Sequence, residues 1–344
     1  SGYYQAKEDI FLDVDYLAAN FIVTFIANGK TVDLLEVRNT FLSELKTSLQ
    51  GKVVVLAKDQ DSDDEHSDEE EITSGTGEEK LVKCFGGAAS LFNFDEYLNS
   101  YPPNVQSAML RVVTLLDVIA ERPASGLYFA ALLAGEPGTG KSLFAQYLAK
   151  RALEKKMCVV YSFGYLEGVW LETTVNFALK NLSSVLFILD EAETNILSRE
   201  QTYSPTLHFL MQLLDGYTRK YNASWAMIFI TNRPHVIDPS FLRPERVEEV
   251  IEFSALDDAN LAYSVFVRWC EKLGVSIPEG IQPSWFSGRT HAECAGIAHK
   301  LYRLQAFGKK ITAQTVLELL KEIARWTDTA KLKGVGKSKG KVGF

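Results

Sequence analysis

The chain has 344 residues, 47% of them hydrophobic, and a formal net charge of -8 at pH 7. That length exceeds what one core fills, so two or three packed units are expected, and the negative balance speaks against a dedicated nucleic-acid surface. The four cysteines, Cys84, Cys158, Cys270 and Cys294, lack the CxxC spacing of a zinc site or disulfide framework, which suits a reducing, cytoplasmic setting.

Ser1-Gly2 opens without Met, as a trimmed chain does, and no charged, apolar and small-residue succession marks a secretion signal. Residues 1–58 read as a small α/β N-terminal module: apolar runs at Phe21–Phe25 and Val53–Leu56 flank a helix-like stretch, Leu34–Leu49. The apolar run Tyr16–Ala27 is broken by Asn20 and falls short of the roughly 20 residues of a membrane span, so none is expected. Residues 59–80 form an acidic linker or loop that repels itself and buries nothing. Within it Ser62 and Ser67 are each followed three positions on by an acidic residue, the pattern acidophilic kinases prefer.

From residue 81 to 255 apolar runs alternate with helical patterns, the mark of βαβ units. The expected strands are Tyr128–Ala134, Met157–Ser162, Val185–Asp190, Trp225–Thr231 and Val250–Phe253. They are continuously apolar, as strands are when helices cover both faces, so the fold expected is a three-layer α/β core with a five-stranded parallel sheet. Residues 256–328 carry amphipathic segments at Ala259–Leu273, His291–Phe307 and Thr312–Trp326, a C-terminal helical lid. Residues 329–344 make a basic, flexible tail.

Gly135-Glu136-Pro137-Gly138-Thr139-Gly140-Lys141-Ser142, followed by Leu143, matches GxxxxGK[ST] between an apolar strand and a helix pattern, the setting of a P-loop. Its glycines let backbone N–H groups turn toward phosphates at a helix N-terminus; Lys141 reaches the β/γ-phosphates of ATP and Ser142 coordinates Mg²⁺. Downstream, the run Val185–Leu189 ends in Asp190-Glu191. A buried strand gains no stability from two carboxylates there, so Asp190 is assigned to the magnesium and Glu191 to the attacking water.

The segment Ile230-Thr231-Asn232 through Leu242-Arg243-Pro244-Glu245-Arg246 resembles the second region of homology of the AAA family within the AAA+ ATPases. The resemblance covers roughly residues 88–328 and implies several roles. Asn232 would be the first sensor, positioning the lytic water beside Glu191. Arg243 and Arg246 would act in trans on a neighbour's ATP, a contribution of roughly 10³ to 10⁵ in rate where such fingers have been measured. The partner implied is the chain itself, in a ring that is commonly a hexamer. A third family arginine is replaced by Glu249, which alters the subunit boundary. Asp215-Gly216-Tyr217 resembles the family's intersubunit signalling segment, although a helix C-cap explains Gly216 equally well. Thr290-His291-Ala292-Glu293 stands where the family has its second sensor, and a capping box accounts for Thr290 and Glu293.

Trp170 and Leu171, in Gly168-Val-Trp-Leu-Glu172, stand where the family's pore loop grips substrate. That implies an oligomeric motor that unfolds, disassembles or threads a protein, with the N-terminal module recruiting client or adaptor. A nucleic-acid motor anchored by the lysine-rich tail is the alternative, though no aromatic platform accompanies that tail. An assembly scaffold that performs no work is a third reading, and the full set of hydrolytic residues counts against it.

Overall fold

The computed structural model describes residues 2–7, 10–17, 20–27, 51, 53–56, 93–162, 168–194, 196, 205–216 and 221–323, with backbone alone for the strands up to 56 and for 168–170. The expected helix Leu34–Leu49, the acidic tract, Cys84, Tyr217 and the basic tail lie outside these residues.

Three antiparallel strands open the chain: β1 (Gly2–Lys7), β2 (Ile10–Leu17) and β3 (Asn20–Ala27), with Val14 opposite Val23 and Leu12 opposite Phe25. The main sheet has β4 (Val53–Leu56), β5 (Tyr128–Gly135), β6 (Cys158–Ser162), β7 (Ser184–Leu189), β8 (Ser224–Thr231) and β9 (Glu249–Phe253), in the order β4-β6-β7-β8-β5-β9. The five expected strands are all present, and β4 joins them as a sixth, running parallel to β6 with Val53 opposite Val159. β4 was expected in the N-terminal module; its apolar Val-Val-Val-Leu sequence suits a parallel sheet equally, and a strand's partner is not a local property.

The helices in chain order are α1 (Phe94–Leu98), α2 (Pro103–Glu121), α3 (Lys141–Glu154), α4 (Gly168–Asn181), α5 (Pro205–Leu214), α6 (Ala259–Leu273), α7 (His291–Ala306) and α8 (313–323). Every residue of β8 is buried, as are the interiors of β5 and β7, because each face of a parallel sheet must be covered. Phe187, Trp225 and Phe229 from this sheet share one core with Leu171 and Val175 of α4 and Leu210 and Leu213 of α5.

The chain divides into two compact units. One comprises Ser1–Ala89, Ser107–Ala134 and Ser142–Glu252; the other comprises Ser90–Gln106, Gly135–Lys141 and Phe253–Phe344. The second unit thus holds α1 and the phosphate-loop segment together with the helices of the lid. Its core is formed by Phe266 and Cys270 of α6, Phe286, Cys294, Ile297 and Leu301 of α7, and Val316 and Leu320 of α8, with the Phe266 and Phe286 rings stacked at 4.7 Å.

Local chemistry sets the ends of these helices. Asp258 caps α6 by accepting from Asn260 N and Leu261 N, and Gly274 ends it with a left-handed φ of 66°. Thr290 and Glu293 form a reciprocal capping box at the start of α7, as do Asn93 and Glu96 at α1. Cys158, Cys270 and Cys294 are free and buried, and burial pushes each thiol up to about 12.

Candidate nucleotide site

The phosphate loop leaves β5 at Gly135 and enters α3 at Lys141. Gly135 has φ 142°, and a Cβ there would lie 1.8 Å from the Phe253 carbonyl oxygen, so only glycine fits. At Gly140, φ is 101° and a Cβ would fall 1.8 Å from the Tyr101 hydroxyl. Lys141 is buried, and its ammonium donates to the carbonyls of Gly135 at 2.8 Å and Glu136 at 2.7 Å, which seats it beneath its own loop. Thr139 is fully buried and donates its hydroxyl to Glu136 O, while Ser142 at the start of α3 is exposed.

The outer side of the loop is held by side chains that sequence reasoning missed. Tyr97 Oη donates to Gly140 O at 2.8 Å, Tyr101 Oη donates to Thr139 O at 2.9 Å, and the two hydroxyls are 3.0 Å apart. Ala292 N, in the first turn of α7, donates to Gly138 O at 2.9 Å. Apart from a pair of tyrosines four residues apart in Tyr97-Leu-Asn-Ser-Tyr101, nothing local announces these contacts.

His291 turns toward α1: its ring stacks on Tyr101 at 4.3 Å, and Nε2 lies 3.0 Å from Ser100 Oγ and 3.2 Å from Ser100 O. Burial, with a smaller contribution from Arg268, lowers its pKa to about 4, leaving the imidazole neutral. At the position where the family resemblance puts a second sensor, this side chain braces Tyr101.

In the sheet, β7, β8 and β5 are consecutive neighbours running parallel, with Leu189 opposite Phe229 and Ala134 opposite Thr231. Asp190-Glu191 follows the carboxyl end of β7 and Asn232 that of β8, with Ala134 of β5 opposite Thr231, along the edge where open α/β sheets bind ligands. Asp190 is anchored on both oxygens: Oδ2 accepts from Tyr161 Oη at 2.7 Å and Oδ1 from Glu191 N at 2.9 Å. Tyr161 comes from β6, next to β7 in the sheet; without the strand order, a tyrosine in Cys-Val-Val-Tyr-Ser carries no sign of this role.

Glu191 is exposed and has φ 50°, a left-handed conformation that a residue other than glycine adopts at some cost. Its carbonyl accepts from Thr194 N and Thr194 Oγ1, which holds the strained turn. Asn232 is exposed directly after β8.

The two arginines differ. Arg243 is exposed, whereas Arg246 is paired in its own chain: Nε and Nη2 meet both Asp215 oxygens at 2.7 and 2.8 Å, and Nη1 donates to Ser240 O at 2.6 Å. The Arg246 hydrogen bonds hold the Asp215 carboxyl below its usual range. Gly216 follows α5 with φ 94°, as a helix-ending glycine does. Glu249, which replaces a family arginine, makes a bidentate pair with Arg111 at 2.6 and 3.0 Å.

Trp170 and Leu171 were expected in a loop; both lie in α4. Leu171 is 1% exposed, on one stripe with Val175, Ala178, Leu179 and Leu182. That spacing is the helical period of a core-facing side, so Leu171 packs inward and is not available for substrate grip. The Trp170 side chain lies outside the described residues.

Among the described residues no helix is long and apolar enough to cross a membrane, and no group of His, Cys, Asp and Glu is arranged to hold a metal by itself.

Residues 131–255 match the model of the ATPase family associated with various cellular activities (AAA). Over 140 residues, 37% of this chain, the sequence is 33% identical to a proteasome-activating nucleotidase of Methanococcus vannielii, covering 33% of that relative. It is 30% identical over 154 residues to the proteasome-activating nucleotidase of Methanothermobacter thermautotrophicus, and 29% over 157 to the 26S proteasome regulatory subunit 6B homolog of Saccharomyces cerevisiae; each alignment covers 42% of this chain and 36% of the relative. The chain spans about a third of the length of the curated relatives it matches.

Proposed function

We infer, from the premise that residues 131–255 are an AAA+ ATPase domain, that this chain binds Mg-ATP, hydrolyses it, and uses the cycle to remodel a protein substrate as part of an oligomer of its own copies. The observation that carries the reading is that Asn232 and Asp190-Glu191 follow two neighbouring parallel strands, beside the strand that leads into the glycine-rich loop, with Glu191 held at positive φ.

The residues present suit the nucleotide. The trans peptides after Gly138, Thr139 and Gly140, whose carbonyls are held by Ala292, Tyr101 and Tyr97, aim the following N–H groups the opposite way, as a phosphate cradle needs. A hydroxyl at Ser142 and a carboxylate at Asp190 are hard oxygen donors of the kind Mg²⁺ takes. They would hold the ion, which supplies charge neutralisation between the β- and γ-phosphates. Lys141 adds a fixed cation at the loop; Glu191 accepts a proton from the attacking water; Asn232 orients that water. Arg243, the exposed member of the arginine pair, is assigned the contact to a neighbouring subunit's nucleotide. Arg246 would have to leave Asp215 to join it.

A polypeptide is the substrate the relatives' names favour, since two are proteasome-activating nucleotidases and one is a proteasome regulatory subunit. Trp170 is assigned the grip on client, and the N-terminal residues its recruitment. The deciding experiment is ATP hydrolysis per protomer across several decades of protein concentration, for the wild type and Glu191→Gln. A rise with concentration, with turnover in Glu191→Gln lowered by roughly 10² to 10⁴, is expected; wild-type turnover in Glu191→Gln would remove Glu191 from the role of base.

A further inference from the structure

We propose that Tyr97 and Tyr101 are positioning residues for phosphate binding, clamping the phosphate loop from the side opposite the nucleotide; the proposal rests on the ATP-binding reading above. Three consecutive carbonyls, those of Gly138, Thr139 and Gly140, each accept from a different donor: Ala292 N of α7, Tyr101 Oη and Tyr97 Oη, at 2.9, 2.9 and 2.8 Å.

All peptide bonds described are trans. In a trans peptide the carbonyl of one residue and the N–H of the next point in opposite directions. Holding these oxygens therefore aims the Gly140 and Lys141 amides away from the tyrosines, and the Thr139 amide away from Ala292 N, before any phosphate arrives. A glycine-rich loop without such a restraint samples many conformations, and ordering it on binding subtracts from affinity. The clamp makes that ordering a property of the folded chain.

Three further features show that the clamp is built in. Each tyrosine is buried; the Tyr97 hydroxyl donates to Gly140 O, and the Tyr101 hydroxyl has Thr139 O at 2.9 Å and Tyr97 Oη at 3.0 Å as acceptors for its one proton. Gly140 is shaped to it, since a Cβ there would lie 1.8 Å from Tyr101 Oη and 3.2 Å from Tyr97 Oη. Tyr101 is stacked from behind by His291 at 4.3 Å and meets Phe253 edge-on at 5.5 Å, so its ring has little freedom to swing aside. The third donor belongs to α7, so the same carbonyl row ties the loop to the first turn of a lid helix.

The test compares Tyr97→Phe, Tyr101→Phe and the double variant with the wild type by equilibrium titration of ADP and of ATP with Mg²⁺, alongside the melting temperature of each ligand-free protein. Loss of one hydroxyl should weaken both nucleotides by about threefold to tenfold, and the double variant should be weaker than either single one without being the product of the two, since the hydroxyls touch. Ligand-free melting should fall by no more than roughly 4 °C, the shift of one lost hydrogen bond. Wild-type affinities in all three variants overturn the clamp while leaving the ATPase reading intact. Weakened binding that appears only with a large fall in melting in both single variants also overturns it, by making the tyrosines ordinary core. A wild-type protein that binds neither nucleotide sinks the ATPase reading and the clamp with it.

Discussion

Lowering the pH should destabilise the lid-containing unit through His291, by an amount the structure allows to be worked out. The folded imidazole has a pKa of about 4 against an ordinary 6.5, mainly because burial disfavours its charged form, with Arg268 adding repulsion and the Ser100 carbonyl opposing. Between those two values the unfolded chain binds a proton that the folded ring refuses, so stability falls as the pH drops from about 6.5 to about 4 and is unaffected above that window. Each unit of displacement is worth about 1.4 kcal/mol, so the full loss is on the order of 3 kcal/mol near pH 4. His291→Phe retains an aromatic ring against Tyr101 and removes the titration. Urea unfolding of both proteins from pH 4 to 7.5 should show the wild type losing about 3 kcal/mol more than the variant, the carboxylates common to both cancelling in the difference. Equal pH slopes in the two proteins, or an imidazole NMR signal titrating near 6.5, would refute the reasoning.

Lys141→Ala should abolish nucleotide binding measured by calorimetry, because it removes the cation seated under the loop by Gly135 and Glu136. Arg243→Ala should lower ATP turnover by roughly 10³ or more with an unchanged melting temperature. Arg246→Ala should lower melting as well, since it strands Asp215 and Ser240 O; equal melting of the two variants would argue that the Asp215 pair contributes nothing to the folded chain. Leu171→Ala should cost about 2 to 5 kcal/mol in urea unfolding through the cavity it leaves, whereas Trp170→Ala should keep basal ATPase and lose client processing. Basal turnover with intact client processing in Trp170→Ala would remove Trp170 from the grip.

The glycine turn after Tyr128–Ala134 and the strand ends before Asp190 and Asn232 are legible because each depends on its immediate neighbours in the chain: a glycine spacing, an apolar run, a polar residue at its end. The capping boxes at Thr290 and Asn93 are legible for the same reason, as an N-cap and its partner lie three residues apart. The expected loop at Trp170-Leu171 went wrong because the family position outweighed the helical stripe from Leu171 to Leu182, which the sequence already displayed.

Other features were decided only by tertiary structure. Val53–Leu56 reads as a strand wherever it sits, and its pairing with β6 depends on which sheet edge it meets. Tyr161 holds Asp190 across 29 residues, Arg246 holds Asp215 across 31, and Tyr97 and Tyr101 reach the phosphate loop across 43 and 38. None of these pairs leaves a periodic trace, because a hydroxyl or guanidinium meets a distant partner only after the strand order and helix packing have brought the two together. Local chemistry determined where strands, the glycine-rich turn and helix caps form, and the packing of distant segments determined which side chains hold them.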